Sequence, residues 1–272
     1  MLIRLFLVVA LVGYAASWLI HIRGFRGRAP AARHRSTWIA GGSTLFHAAG
    51  LLTFWLTFQT PPLVGFGPAG ATLAFATAVT YLAAGRNAEA WPAGLLLLPP
   101  VMLLLGAAIL TGMTPTPPAT SFRGGWFVVH VVSVLVGYAA LLFGSVAAAM
   151  YVLQFRALKR KHFGNVFRSF PSLESLDRMN SVALTSGLSA LTVGLIAGWS
   201  FTLTFGRGLA LGDPQVGFGL LTWVAYAAPL MLRWTRRPKG PRAAELTLVA
   251  FGACALVFLL IRTFSPAREF FL

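Results

Sequence analysis

Acidic side chains are scarce in this chain: six Asp and Glu among 272 residues, against 22 Lys and Arg. There is one cysteine, Cys254, which excludes a disulfide framework and any paired-cysteine metal site. No Gly-x-Gly-x-x-Gly follows a strand pattern, and there is no P-loop and no His-Glu-x-x-His. Dinucleotide-binding, P-loop NTPase and zincin chemistry are therefore set aside. Charged residues of both signs make up only 10% of the chain, and no stretch is polar enough to read as a soluble domain or a low-complexity tail.

Apolar residues fill the space instead. They make up 57% of the chain, its mean hydropathy is +0.75, and they come in runs of about twenty, the length that crosses a bilayer. This predicts an all-α polytopic membrane protein with about eight transmembrane helices, a single integral-membrane domain over 1–272. Its first partner is the lipid bilayer. A net charge of +16 raises the question of nucleic acid, but the basic residues lie in short clusters between apolar runs. That pattern belongs to membrane topology, so no nucleic-acid partner is expected.

The spans predicted from run length are 2–22, 37–58, 66–84, 91–111, 126–155, 181–205, 215–232 and 243–261. The first is expected to be a retained helix, since no small-residue cleavage site stands out before Arg23. Residues 23–35 read as a basic loop. Pro99-Pro100 should kink or interrupt the fourth span. Ser172 after Pro171, with Glu174 close behind, suits a capped helix start at the membrane surface. Seventeen of the 22 basic residues fall on one side of these spans and five on the other. The positive-inside rule makes the crowded side cytoplasmic and puts both termini on the outer side.

Two ionisable residues lie well inside spans. His47 is near the middle of the second, roughly 15 Å deep at a rise of 1.5 Å per residue. His130 is about one and a half turns inside the outer end of the fifth. At 100° per residue, Ser133, Gly137, Ala140, Gly144 and Ala148 fall on the same side as His130. That groove has room for something flat or for another helix. An imidazole at such depth needs a partner, because an unsatisfied polar group in hydrocarbon costs several kcal/mol. Three readings stay open: a neutral His bridging two helices, an axial ligand to haem iron, and a proton relay. The relay suffers from the lack of a mid-span acid.

The remaining candidates carry weaker signals. His21, His34 and His162 sit at basic span ends and read as solvated, with His21 the one able to turn inward. Trp38, Trp55, Trp91, Trp126 and Trp234 lie near span ends, as an interfacial belt does. Trp126, one turn before His130, is the best placed of them for stacking on a flat ligand. Met113 and Cys254 read as packing residues. Asp213, the one acid in an outer loop between spans, precedes Pro214 in an ordinary N-cap arrangement.

A family resemblance joins several of these residues. It runs through His130, Tyr138, Tyr151 and Gln154, then Pro171-Ser-Leu-Glu174 with Leu176-Asp-Arg178. It continues through Leu191-Thr-Val-Gly194-Leu-Ile-Ala-Gly198-Trp199, then Asp213-Pro214 and Leu221-Thr-Trp223. In this order and spacing, residues 126–235 resemble the membrane core of the cytochrome c assembly family, the CcsA/CcmC-type haem-handling proteins. The resemblance implies a bacterial plasma-membrane protein of c-type cytochrome biogenesis that binds haem b. It makes His130 the outward-facing axial ligand, and His47 resembles the membrane-embedded histidine of the CcsA branch. Trp126 and Asp213 complete the implied cofactor-binding set. It also implies an assembly or haem-delivery factor rather than a self-contained catalyst, with other cytochrome c assembly proteins as partners. Any haem would be non-covalent, since a Cys-x-x-Cys-His run is lacking.

The departures point to a second branch. The tryptophan-rich outer loop is reduced to Gly206-Arg-Gly-Leu-Ala-Leu-Gly212, and the second outer histidine is missing beyond the last span. Length and loop resemble the HemX/YpjD-like branch. That branch implies an alternative: a haem-free or haem-sensing scaffold that regulates tetrapyrrole biosynthesis, with glutamyl-tRNA reductase as partner.

Overall fold

The computed structural model describes residues 1–27, 30–85, 88–115, 125–161, 164, 169–204, 214–236 and 241–264. Among these there is no strand. The elements are α1 (Leu2–Gly27), α2 (Pro30–Phe58), α3 (Phe66–Ala84), α4 (Gly94–Thr111), α5 (Gly125–Lys159), α6 (Leu173–Thr204), α7 (Pro214–Arg236) and α8 (Arg242–Phe264). A 3-10 turn, Ala88–Ala93, leads into α4. Eight helices are long and apolar enough to cross a membrane, as run length predicted.

The ends differ from the expectation for physical reasons. The basic stretch 23–35 is largely helix, because Arg and His do not break a helix. Arg23 belongs to α1, and Arg33, His34 and Arg35 to α2. The sixth span begins eight residues earlier than expected. Ser172 Oγ accepts the Ser175 N–H at 3.2 Å, and the capped surface turn continues unbroken into the membrane. In the fourth span the interruption is the 3-10 turn at 88–93, while the α-helix runs on through Pro99-Pro100. Pro99 has no N–H for the Leu95 carbonyl, four residues back. The indole N–H of Trp18, on α1, donates to that oxygen at 2.9 Å.

Helices α1–α4 form one half of the molecule, with α1 against α2 and α4, and α3 against α4 and α2. Helix α5 joins the halves: it packs on α3 on one side and on α6 and α8 on the other. Tyr14, Phe54, Tyr81, Leu97, Leu98 and Leu105 are fully enclosed in the first half. Leu141, Leu184, Leu191, Tyr226 and Leu230 form the core of the second. At the charge-poor end, Gly112 turns the chain out of α4 at φ +99°, and its carbonyl abuts Gly67 of α3. A side chain on Gly67 would strike that carbonyl, and one on Gly112 would be strained by its positive φ.

The strongest pairing, α5 on α6, answers the question of what fills the small-residue groove. It is a helix. A Cβ on Gly137 would fall 2.9 Å from Leu191 Cγ, and one on Gly187 would fall 2.8 Å from Leu141 Cγ. Gly144 meets Ala183 in the same way. In lipid, where apolar side chains gain nothing by leaving the solvent, such close backbone approach is what holds two helices together.

Candidate functional site

His130 lies five residues into α5, at the charge-poor end, with its ring against α6. Its Nδ1–H donates to the carbonyl of Gly194 at 2.7 Å. A carbonyl can only accept, so this bond fixes the tautomer: Nδ1 carries the proton and Nε2 keeps its lone pair. A Cβ on Gly198 would stand 2.7 Å from Nδ1 and 2.8 Å from Cε1. That edge of the imidazole is therefore held on α6, and Nε2 belongs to the part of the half-buried ring turned away from it. No other hydrogen bond reaches the ring among the described residues. Trp126 is one helical turn nearer the end of α5 and 54% exposed. It suits either an interfacial anchor or the wall of a site. Trp199, next to Gly198, is exposed to the same degree.

His47 has a different setting. It is fully buried at mid-helix in α2, between Tyr14 of α1 and Phe75 of α3. Tyr14 Oη lies 3.4 Å from its Nδ1 and 3.1 Å from Thr44 Oγ1, which donates to the Ala40 carbonyl. Its Nε2 has no accessible surface and no partner in hydrogen-bonding geometry, though the backbone of Ala71 lies beside the ring. The two histidines thus face different neighbours, one toward α1 and α3 and the other toward α6. Asp213 lies outside the described residues; Pro214, which follows it, is the first residue of α7. Met113 and Cys254 are buried in apolar clusters, as packing residues.

Two readings of surface residues need correction. His21 is buried rather than solvated. Its Nδ1–H donates to the Ser17 carbonyl at 2.9 Å, Tyr81 Oη lies 2.9 Å from Nε2, and the ring stacks on Trp91 at 4.8 Å. Trp91 is accordingly a packing residue that donates to Ser36 Oγ at 2.8 Å, whereas Trp38, Trp55, Trp126 and Trp234 are exposed as a belt requires. No sequence signal pairs His21 with Tyr81 and Trp91, sixty and seventy positions away.

At the basic end a polar network gives the Pro171–Arg178 motif its roles. Ser175 Oγ donates to Glu89 Oε2 at 2.7 Å, and Arg178 reaches the same oxygen at 3.4 Å. Asp177 and Asn180 both accept from Arg233, whose side chain is only 10% exposed, and Asn180 Nδ2 donates to the Gly144 carbonyl at 2.7 Å. Helices α5, α6, α7 and the 3-10 turn are tied together there. Among the described residues no three His, Cys, Asp or Glu gather as a metal site.

Residues 37–266 match the family described as cytochrome C assembly protein. The "Cytochrome c biogenesis protein CcsA" of Synechococcus sp. (strain CC9605) is 25% identical over 249 residues, 81% of each chain. Those of Guillardia theta and Prochlorococcus marinus (strain NATL1A) are 28% and 30% identical. The match covers 53% of this chain and 52% of the first, and 52% of each chain for the second. Against those two relatives the chain spans about half their length. With eight helices among the described residues long and apolar enough to cross a membrane, and a match over most of its length, this chain belongs to the cytochrome c assembly family.

Proposed function

We propose that this multi-pass membrane protein handles haem in c-type cytochrome biogenesis and holds haem b, non-covalently, through Nε2 of His130. The observation that carries the reading is the bond from His130 Nδ1–H to Gly194, which leaves Nε2 as a lone-pair donor on the open edge of the ring. Haem iron takes axial imidazole nitrogen, and a carbonyl on the other ring nitrogen raises the basicity of such a ligand. The exposed indole of Trp126 offers a flat apolar surface beside it. Asp213, by its place before α7, belongs to the loop side of the same proposal.

His47 offers the same kind of nitrogen in a closed setting. Haem beside its Nε2 would require α2 and α3 to move apart, so His130 is the primary ligand and His47 bridges α1, α2 and α3. The orphaned Nε2 supports His47 as ligand of a second, deeper site only as the subordinate proposal. The proposed location is a bacterial plasma membrane with the basic end cytoplasmic, and other cytochrome c assembly proteins are the proposed partners. The relatives named above carry the CcsA name, and the HemX-like regulator of glutamyl-tRNA reductase gains no support from them.

The test is the optical spectrum of the detergent-purified protein and two variants. Wild type should carry a haem b spectrum. His130→Ala should lose haem or turn a low-spin spectrum high-spin, while His47→Ala should keep the wild-type spectrum. A haem-free wild type, or a His130→Ala protein with unaltered haem, would overturn the reading.

A further inference from the structure

Helix α6 meets α5 through glycines at several levels, but they do different things. At Gly137 and Gly187 the neighbours an added Cβ would strike are Leu191 and Leu141 side chains, plus a facing carbonyl at 3.1 Å in each case. Those two are packing glycines. At Gly198 the three nearest atoms all belong to the His130 imidazole: Nδ1 at 2.7 Å, Cε1 at 2.8 Å and Cγ at 3.5 Å. A methyl group and this ring cannot occupy the site together. One turn away, the carbonyl that fixes the ring's tautomer is that of Gly194. In an α-helix that carbonyl also takes the N–H four residues on, which is Gly198's own, and its second lone pair serves His130.

We infer that Gly194 and Gly198 are positioning residues for His130. The Gly194 carbonyl selects the tautomer with a free Nε2, and the missing side chain at 198 sets where the ring lies, so α6 presents the nitrogen already aimed. The inference rests on the proposed role of His130 as a haem ligand, but its first part concerns the haem-free chain alone. Helix α6 contributes no side chain to either contact, which is why no pattern of chemically active residues marks its part. At Gly194 itself an added Cβ would meet Val134 Cγ2 at 2.7 Å. That wedges the helices apart and so draws the carbonyl from the ring indirectly.

The experiment has two arms. In the first, haem-free protein labelled with ¹⁵N in its five histidines is examined by NMR at neutral pH, with His130 assigned by the signals lost in His130→Asn. Protonated Nδ1 and unprotonated Nε2 are expected. An Nε2-protonated His130, or a fast average of the two tautomers, overturns the inference even if neither glycine variant folds. In the second arm, Gly198→Ala is compared with Gly187→Ala by tautomer and by haem retention under titration with a competing haem-binding protein. Gly198→Ala should lose the fixed tautomer and hold haem about 10–100-fold more weakly, the range found when an outer partner of a metal ligand is removed. Gly187→Ala, which strikes Leu141 in the same seam, should keep the tautomer and wild-type haem retention. Equal effects from the two variants would show a packing role and sink the inference. A haem-free wild type with the expected tautomer would instead remove the proposed function and leave the slot standing.

Discussion

The contact between Trp18 and the Leu95 carbonyl invites a direct energetic test. Proline at 99 removes the N–H that would have served this oxygen, and the membrane supplies no water in its place. Trp18→Phe keeps an aromatic ring between α1 and α4 but deletes the donor at 2.9 Å. Losing a hydrogen bond and stranding its acceptor costs about 1–3 kcal/mol. Pro99→Ala restores the intrahelical N–H, so the same Trp18→Phe change should cost much less in that background. The predicted coupling is about 1 kcal/mol or more, with the sign of a compensating pair. Equilibrium unfolding in mixed micelles, titrated with a denaturing detergent, measures all four corners of the cycle. If Trp18→Phe costs the same with Pro or Ala at 99, the indole is not repairing the proline break and the argument is wrong.

Three further outcomes are expected. Asp177→Ala leaves the Arg233 guanidinium, 10% exposed, with Asn180 as its remaining partner among the described residues. Because Asp177 is itself 50% exposed, the loss should be about 1–3 kcal/mol, below that of a fully buried pair, and Arg233→Met in the same background should recover most of it. Reporter fusions after Arg35, Lys161 and Lys239 should all report cytoplasm; an external signal at Lys161 would turn the His130 end inward. Acid-acetone extraction should release all of the chromophore, and haem left on the polypeptide would contradict a non-covalent site.

Spans were legible because a bilayer imposes a run length that composition cannot hide, and all eight apolar runs became helices. Their ends were less legible. Hydropathy falls at Arg33 and at Glu174, yet helix propensity does not, so α2 and α6 continue past the apolar limit. The small-residue face of α5 announced a close neighbour but not which one, since glycine accommodates a helix and a flat ligand equally. At the site, His130 and His47 stood out as lone imidazoles in apolar runs. What separates them, an open ring edge in one and complete enclosure in the other, depends on α3 and α6. The burial of His21 depends on Tyr81 and Trp91 and was likewise beyond local pattern.

The glycine seam also sets an order of events during biogenesis. Single apolar helices can enter a bilayer one at a time, each with its backbone satisfied internally. His130 on an inserted but solitary α5 has no Gly194 carbonyl to choose its tautomer and no Gly198 recess to orient it. The fixed tautomer and orientation of the ring therefore arrive later than insertion, at the moment α6 docks. If His130 holds haem as proposed, a chain that has crossed the membrane but not yet docked α6 would lack the aimed nitrogen, and haem capture would follow helix assembly rather than insertion.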